Sequence, residues 1–147
     1  MDYLLTSFKG VGVTFGILAV QTGVHALWRP LSFAENFGLP LNPKLSAQNR
    51  PRGEKDHAAK SVDFGPAYTT MMGARQAGTG VIILIFASCG KWMEIATVLS
   101  VVGLLCATTD AYNLWKGGKN GHARFHALPG LAIAAHALAV LYRNGGL

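Results

Sequence analysis

The sequence predicts an all-α integral membrane protein, a four-helix bundle with a long polar loop between helices 1 and 2. Three observations carry that prediction. Half of the 147 residues are apolar and only 14% are charged, against about 25% in ordinary soluble domains. Four apolar runs each approach the roughly 20 residues that a helix needs to cross a hydrocarbon core of about 30 Å. Trp28, Tyr68, Trp92, Trp115 and Tyr142 fall near the run ends, where rings with a polar edge favour the headgroup region.

The runs divide residues 1–147 as a single domain with spans at 8–28, 67–89, 92–115 and 125–142. The first begins near Lys9 and is read as a retained span, although Val24-His25-Ala26 loosely imitates a signal cleavage site. A polar segment, 29–66, follows; it holds six of the thirteen Lys and Arg residues and Pro30, Pro40, Pro43 and Pro51, the composition of a solvated loop. Gly90-Lys91 joins the second and third runs, and a glycine-rich stretch, 116–124, joins the third and fourth. Such short links imply antiparallel neighbours. Gly12-x-x-x-Gly16 and Ala74-x-x-x-Gly78 are small-residue spacings that let membrane helices approach closely.

Charge sets the expected sidedness. The connections 29–66 and 116–124 carry nine Lys or Arg residues, whereas Lys9, Lys91 and Arg143 mark the opposite side. Both connections are therefore expected on the cytoplasmic face and both termini across the membrane. The net charge of +6 does not imply a nucleic-acid partner, because the basic residues lie between apolar runs and form no stripe with interleaved aromatics. Cys89 and Cys106 occupy mismatched depths, which excludes a disulfide framework. A soluble bundle is the competing reading, supported by Gln21, His25, Arg75, Asp110 and His126 inside the apolar runs. Apolar runs of this length seldom serve as ordinary core helices.

Those same polar residues are the candidates for chemistry. By register, His25 lies one turn before the cytoplasmic end of the first span and Arg75 about two turns into the second. Asp110 lies a turn and a half before the end of the third, and His126 opens the fourth. Charged groups facing hydrocarbon cost at least about 2.5 kcal/mol, so they turn inward to pair or to line a watered cavity. Arg75 and Asp110 are the natural pair. In one reading they form a structural bridge, with His126 bonded to it or exposed. In the other, Asp110 is an acid or base, Arg75 holds an oxygen or tunes Asp110, and His126 or Tyr112 relays a proton. His25, Gln21, Tyr68, Met72 and Asn113 are then expected to contact the substrate.

Other motifs carry less. His122 and His126 stand at i, i+4 without a third ligand or a metalloprotease pattern, so no metal is expected. His136 is expected as a packed core histidine, and Glu94 as an interface residue at a helix N-terminus. The sequence lacks a Walker loop, a dinucleotide fingerprint, a G-x-S-x-G elbow and a Cys-x-x-Cys pair, and no cofactor is expected.

Phe37-Gly38-Leu39-Pro40, Gly73-Ala74-Arg75, Asp110, and His126 with Pro129-Gly130 resemble a family of small four-span membrane proteins of unknown function. That family is loosely DoxX-like and frequent in fungal secondary-metabolite gene clusters. The resemblance implies an endoplasmic-reticulum protein that helps make a lipophilic natural product, with the Arg, Asp and His positions as its functional set. The segment 44–60 departs from that pattern. Together these readings lead to an expected isomerase or cyclase acting on a lipophilic polyketide or terpenoid by cofactor-free acid–base chemistry. The alternative is a non-catalytic membrane protein that binds or moves a small molecule or scaffolds other enzymes, and its glycine-rich faces would permit a homo-oligomer.

Overall fold

The computed structural model describes residues 3–37, 64–116 and 120–145. Among them all regular structure is helical: α1 (Tyr3–Trp28), α2 (Pro30–Phe37), α3 (Phe64–Ser88), α4 (Trp92–Lys116) and α5 (Asn120–Arg143). Four helices are long and apolar enough to cross a membrane: Tyr3–Trp28, Ala67–Ser88, Trp92–Lys116 and Asn120–Arg143. Outward faces rich in Ile17, Leu18, Ile85, Leu105 and Leu128 suit lipid, which gives such side chains as apolar a surrounding as a core would. An integral membrane bundle accounts for this exposure better than a soluble one.

One expectation is corrected at the end of α1. The chain does not enter a long polar loop there, because Arg29 alone separates α1 from a further helix, α2. Pro30 causes both events. It lacks the N–H that would continue α1, and its ring disfavours helical geometry at Arg29. Yet proline suits the first position of a new helix. The Arg29 amide still donates to the His25 carbonyl at 2.8 Å, and the Phe33 amide to the Arg29 carbonyl at 2.9 Å. Ala34 is buried while Glu35 and Asn36 are exposed, so α2 lies with one side on its neighbours. Residues 38–63 of the expected loop, including 44–60, fall outside the described residues, and 64–66 already belong to α3.

Helix ends also exceed the hydropathy runs. α1 starts at Tyr3 and α5 at Asn120, before the apolar stretches at 8 and 125. Hydropathy reports the hydrocarbon core, whereas backbone hydrogen bonding continues a helix through the headgroup region. The tight turn between α3 and α4 behaves as its sequence suggests. Gly90 has φ of 71°, the Lys91 amide donates to the Phe86 carbonyl at 2.8 Å and the Gly90 amide to the Ala87 carbonyl at 3.1 Å. This is a Schellman termination, which needs a residue that tolerates the left-handed region.

The four long helices form two intimate antiparallel pairs, α1 with α3 and α4 with α5. Small residues at alternating spacings of four and three make each seam. On α1 these are Gly16, Ala19, Gly23 and Ala26, all buried, and opposite them stand Gly73, Ala77 and Gly80; the buried Gly12 instead faces Ile95 and Leu99 of α4. A β-carbon built on Gly23 would sit 2.5 Å from the Ala77 amide nitrogen and 2.6 Å from the Gly73 carbonyl oxygen. In the second seam Gly103 faces Gly130 and Ala134. Of the two small-residue spacings in the sequence, Gly16 lies in the α1–α3 seam and Gly12 against α4, whereas Ala74 is exposed and Gly78 has nothing beside it. Helix phase separates the two cases: Gly73, not Ala74, shares a face with Ala77 and Gly80.

The pairs meet most extensively near one end. Phe8, Ile83, Ile95, Leu99 and Val140 form the principal buried cluster, drawn from the termini side of α1 and α5 and from either side of the Gly90 turn. Lys9 lies over the Trp92 ring at 5.2 Å nearby, and Lys91 pairs with Glu94 at 3.5 Å. Toward the opposite end the pairs part, and α2 reaches across the gap.

Candidate functional site

Beside this buried cluster a groove runs between α1 and α5 with a volume of about 390 Å³, lined by Ser7, Val11, Thr14, Phe15 and Leu18 from α1 and Ile133 from α5, the last of which, like Phe15, packs against the cluster. Its volume falls in the range of about 300–1,000 Å³ that small-molecule sites occupy, but it is a trough open along one side rather than an enclosed cavity. On α1 the lining follows the register 7, 11, 14 and 18, which Gln21 and His25 continue toward the far end. The stripe opposite the glycine seam is therefore the one that carries this helix's polar side chains.

At the open end α2 spans the gap through rings. His25 of α1 meets Phe33 edge-on at 6.3 Å, Phe33 stacks on Phe37 at 5.7 Å, and Phe37 lies 4.2 Å from His126 of α5. His25 and His126 are both half-buried and are linked by this aromatic strap without touching. Phe125 stands edge-on to His126 at 5.7 Å. Pro129 follows within α5, and its missing N–H leaves the Phe125 carbonyl without its usual intrahelical donor.

Asp110 is half-buried and shares the seam register of α4 with the buried Gly103 and Leu114 and with Ala107, which turns it toward α5. Arg75 is exposed on α3, and the expected pair is not formed: among the described residues the ion pair is Lys91 with Glu94. Axial distance explains the separation. Arg75 stands thirteen residues before Ser88, about 20 Å from the Gly90 turn, and Asp110 eighteen residues beyond Trp92, about 27 Å from it. The two also belong to different pairs, at the end where those pairs diverge.

Tyr112 is exposed beside Trp115, with ring centroids 6.4 Å apart, and two residues of helix turn it about 200° from Asp110. Tyr68 and Asn113 are exposed, and Met72 is half-buried. The geometry thus gathers His25, Phe33, Phe37 and His126 at the open end and leaves Arg75, Asp110 and Tyr112 on separate faces. Among the described residues, no three His, Cys, Asp or Glu side chains are placed to share a metal ion, and both cysteines are free and exposed.

Sequence reading passed over the other end of the groove. There Ser7 Oγ lies 3.2 Å from His136 Nε2, and His136 packs edge-on against Phe8 at 5.6 Å. His136 is the packed histidine that its depth suggested, and it also has a polar partner beside the groove. The available signal was the spacing of Ser7 from Val11, Thr14 and Leu18, hidden because the apolar run seemed to begin at residue 8.

Comparison with curated proteins and with solved structures gives no match. Residues 16–140 match a family described as a domain of unknown function, DUF4267. That stretch takes in α2, α3 and α4 whole, the second half of α1 and most of α5, so the chain belongs to the DUF4267 family.

Proposed function

We propose that the protein takes a lipophilic small molecule laterally from the bilayer into the groove between its helix pairs and isomerises or cyclises it by cofactor-free acid–base chemistry. The observation that carries this reading is the groove: an apolar space of about 390 Å³ lies open between α1 and α5, and the α1 register that lines it continues to Gln21 and His25. An isomerisation of this kind needs one group to take a proton from carbon and another to return it elsewhere, with no net redox change. His126 is the group best placed to face a substrate at the open end, and Asp110, turned toward α5, is the carboxylate nearest in register. His25 and Gln21 extend the binding stripe. The resemblance to proteins of fungal secondary-metabolite clusters supports a polyketide or terpenoid substrate, an endoplasmic-reticulum membrane, and connections 29–66 and 116–124 on the cytoplasmic side.

A second reading, binding or transfer without conversion, is favoured by the dispersal of Arg75, Asp110 and Tyr112 over different faces. Extracts of a producing host carrying wild type, Asp110→Asn or His126→Phe separate the two. An altered product at normal membrane abundance and thermal stability supports the enzyme; unchanged products from both variants, with saturable binding retained, replace it with the binding protein.

A further inference from the structure

The end of the groove opposite His25 and His126 has its own polar chemistry. Ser7 Oγ donates to the Leu4 carbonyl at 3.0 Å, a bond local to the first turns of α1. His136 Nε2 approaches both Ser7 Oγ, at 3.2 Å, and the same Leu4 carbonyl, at 3.3 Å. The tautomer with its proton on Nε2 satisfies this set: the imidazole N–H is shared between the two oxygens, and the serine proton points to Leu4. A hydroxyl oxygen has two acceptor positions and one proton. One acceptor position on Ser7 Oγ is then left, on a side chain that is exposed and lines the groove.

Depth gives this vacancy its meaning. Ser7 lies four residues from Tyr3, about 6 Å along the axis, and His136 lies seven residues from Arg143, about 10 Å. Lys9 over Trp92 and the Lys91–Glu94 pair mark the same level as headgroup territory. From there the groove runs about 17 Å along α1 from Ser7 to Leu18, toward the bilayer centre. A polar notch at the interface and an apolar trough leading inward match the orientation that any membrane-dissolved alcohol already has.

We infer that Ser7, held by His136, is the anchor for the hydroxyl of a lipophilic alcohol whose hydrocarbon skeleton lies along Val11, Thr14, Leu18 and Ile133. This rests on the reading that the groove takes a small molecule, and it adds the class and the direction. The ligand carries a hydrogen-bond donor at one end, enters from the leaflet that holds the chain termini, and presents its apolar end to Gln21, His25 and His126. A ketone or an ether offers no proton to the free acceptor position and binds less well.

The test uses the full chain in phosphatidylcholine nanodiscs with tritiated farnesol, and with farnesyl methyl ether and farnesene as competitors. Farnesol is expected to bind saturably and more tightly than either competitor. Ser7→Ala and His136→Phe each weaken it by about three- to tenfold, the range for loss of one hydrogen bond, and Ser7→Thr binds as wild type. Gly10→Leu blocks all three probes, because Gly10 faces the groove with no neighbour within 4 Å of an added β-carbon. Equal affinity for the three probes, all lost in Gly10→Leu, overturns the hydroxyl anchor and leaves the groove standing. Absence of saturable binding, or binding indifferent to Gly10→Leu, overturns the groove reading and the anchor with it. Should His136→Phe misfold, the Ser7→Ala and Ser7→Thr comparison decides alone.

Discussion

Replacing Gly23 by alanine tests the helix pairing through a single methyl group. That methyl would stand 2.5 Å from the Ala77 amide nitrogen, 2.6 Å from the Gly73 carbonyl oxygen and 2.7 Å from the Ala77 β-carbon. Carbon–carbon contacts relax near 3.5 to 4.0 Å, so α1 and α3 must separate by about 1 Å where backbone meets backbone and no side chain can rotate away. Overpacking of this kind costs about 1–3 kcal/mol. A 1 Å gap along the seam also forfeits up to half of the dispersion energy between the atoms it parts. Alanine returns up to about 1 kcal/mol through helix propensity, for a net loss of about 1–2 kcal/mol. Gly10→Ala is the internal control, since its methyl meets nothing within 4 Å and only the propensity gain remains. Unfolding of the purified chain in mild detergent, followed by circular dichroism as the SDS fraction rises, should place Gly23→Ala below wild type and Gly10→Ala at or above it. Equal stability of the two variants would refute the close α1–α3 seam.

Two further perturbations address the open end and the membrane sidedness. Phe37→Ala removes the ring between Phe33 and His126; at about 0.5–1.5 kcal/mol for an aromatic pair, amide exchange within Pro30–Phe37 should accelerate by roughly two- to tenfold while α4 is unaffected, and unchanged exchange would show that α2 is held by its other contacts. Cys89, exposed at the Gly90 turn, should react with an impermeant maleimide only from the side of the termini, whereas Cys106 in the middle of α4 stays protected by lipid; labelling of Cys89 from the cytoplasmic side inverts the topology.

The parts of this fold that were legible in the sequence are those fixed by the solvent. Length and hydropathy mark four spans because the bilayer demands them, and Gly90 announces a turn because few other residues accept its φ. Helix pairing was less legible. With 18 glycines in the chain, Ala74 and Gly78 display the same spacing as Gly12 and Gly16, and only the phase of the opposing helix tells a seam from an outward face. In the sequence Pro30 looks like a loop residue because proline ends helices, although it begins them equally well. Among the candidate site residues, His25 and His126 were placed at one end by depth alone, and the structure links them through Phe33 and Phe37. Arg75 and Asp110 were matched by counting turns from run ends that the actual helices overshoot, an error of a few residues that becomes about 7 Å along the axis.

The concentration of buried contacts near one end of the helix pairs has a mechanical consequence. Phe8, Ile83, Ile95, Leu99 and Val140 serve as a fulcrum, and each pair is a lever arm of roughly 25 Å beyond it. A rocking motion of about 7° at the fulcrum would displace the free ends by about 3 Å, a little less than one carbon–carbon contact distance. Lateral pressure in a bilayer would act on those ends with that leverage, and the Phe37–His126 contact would oppose their separation.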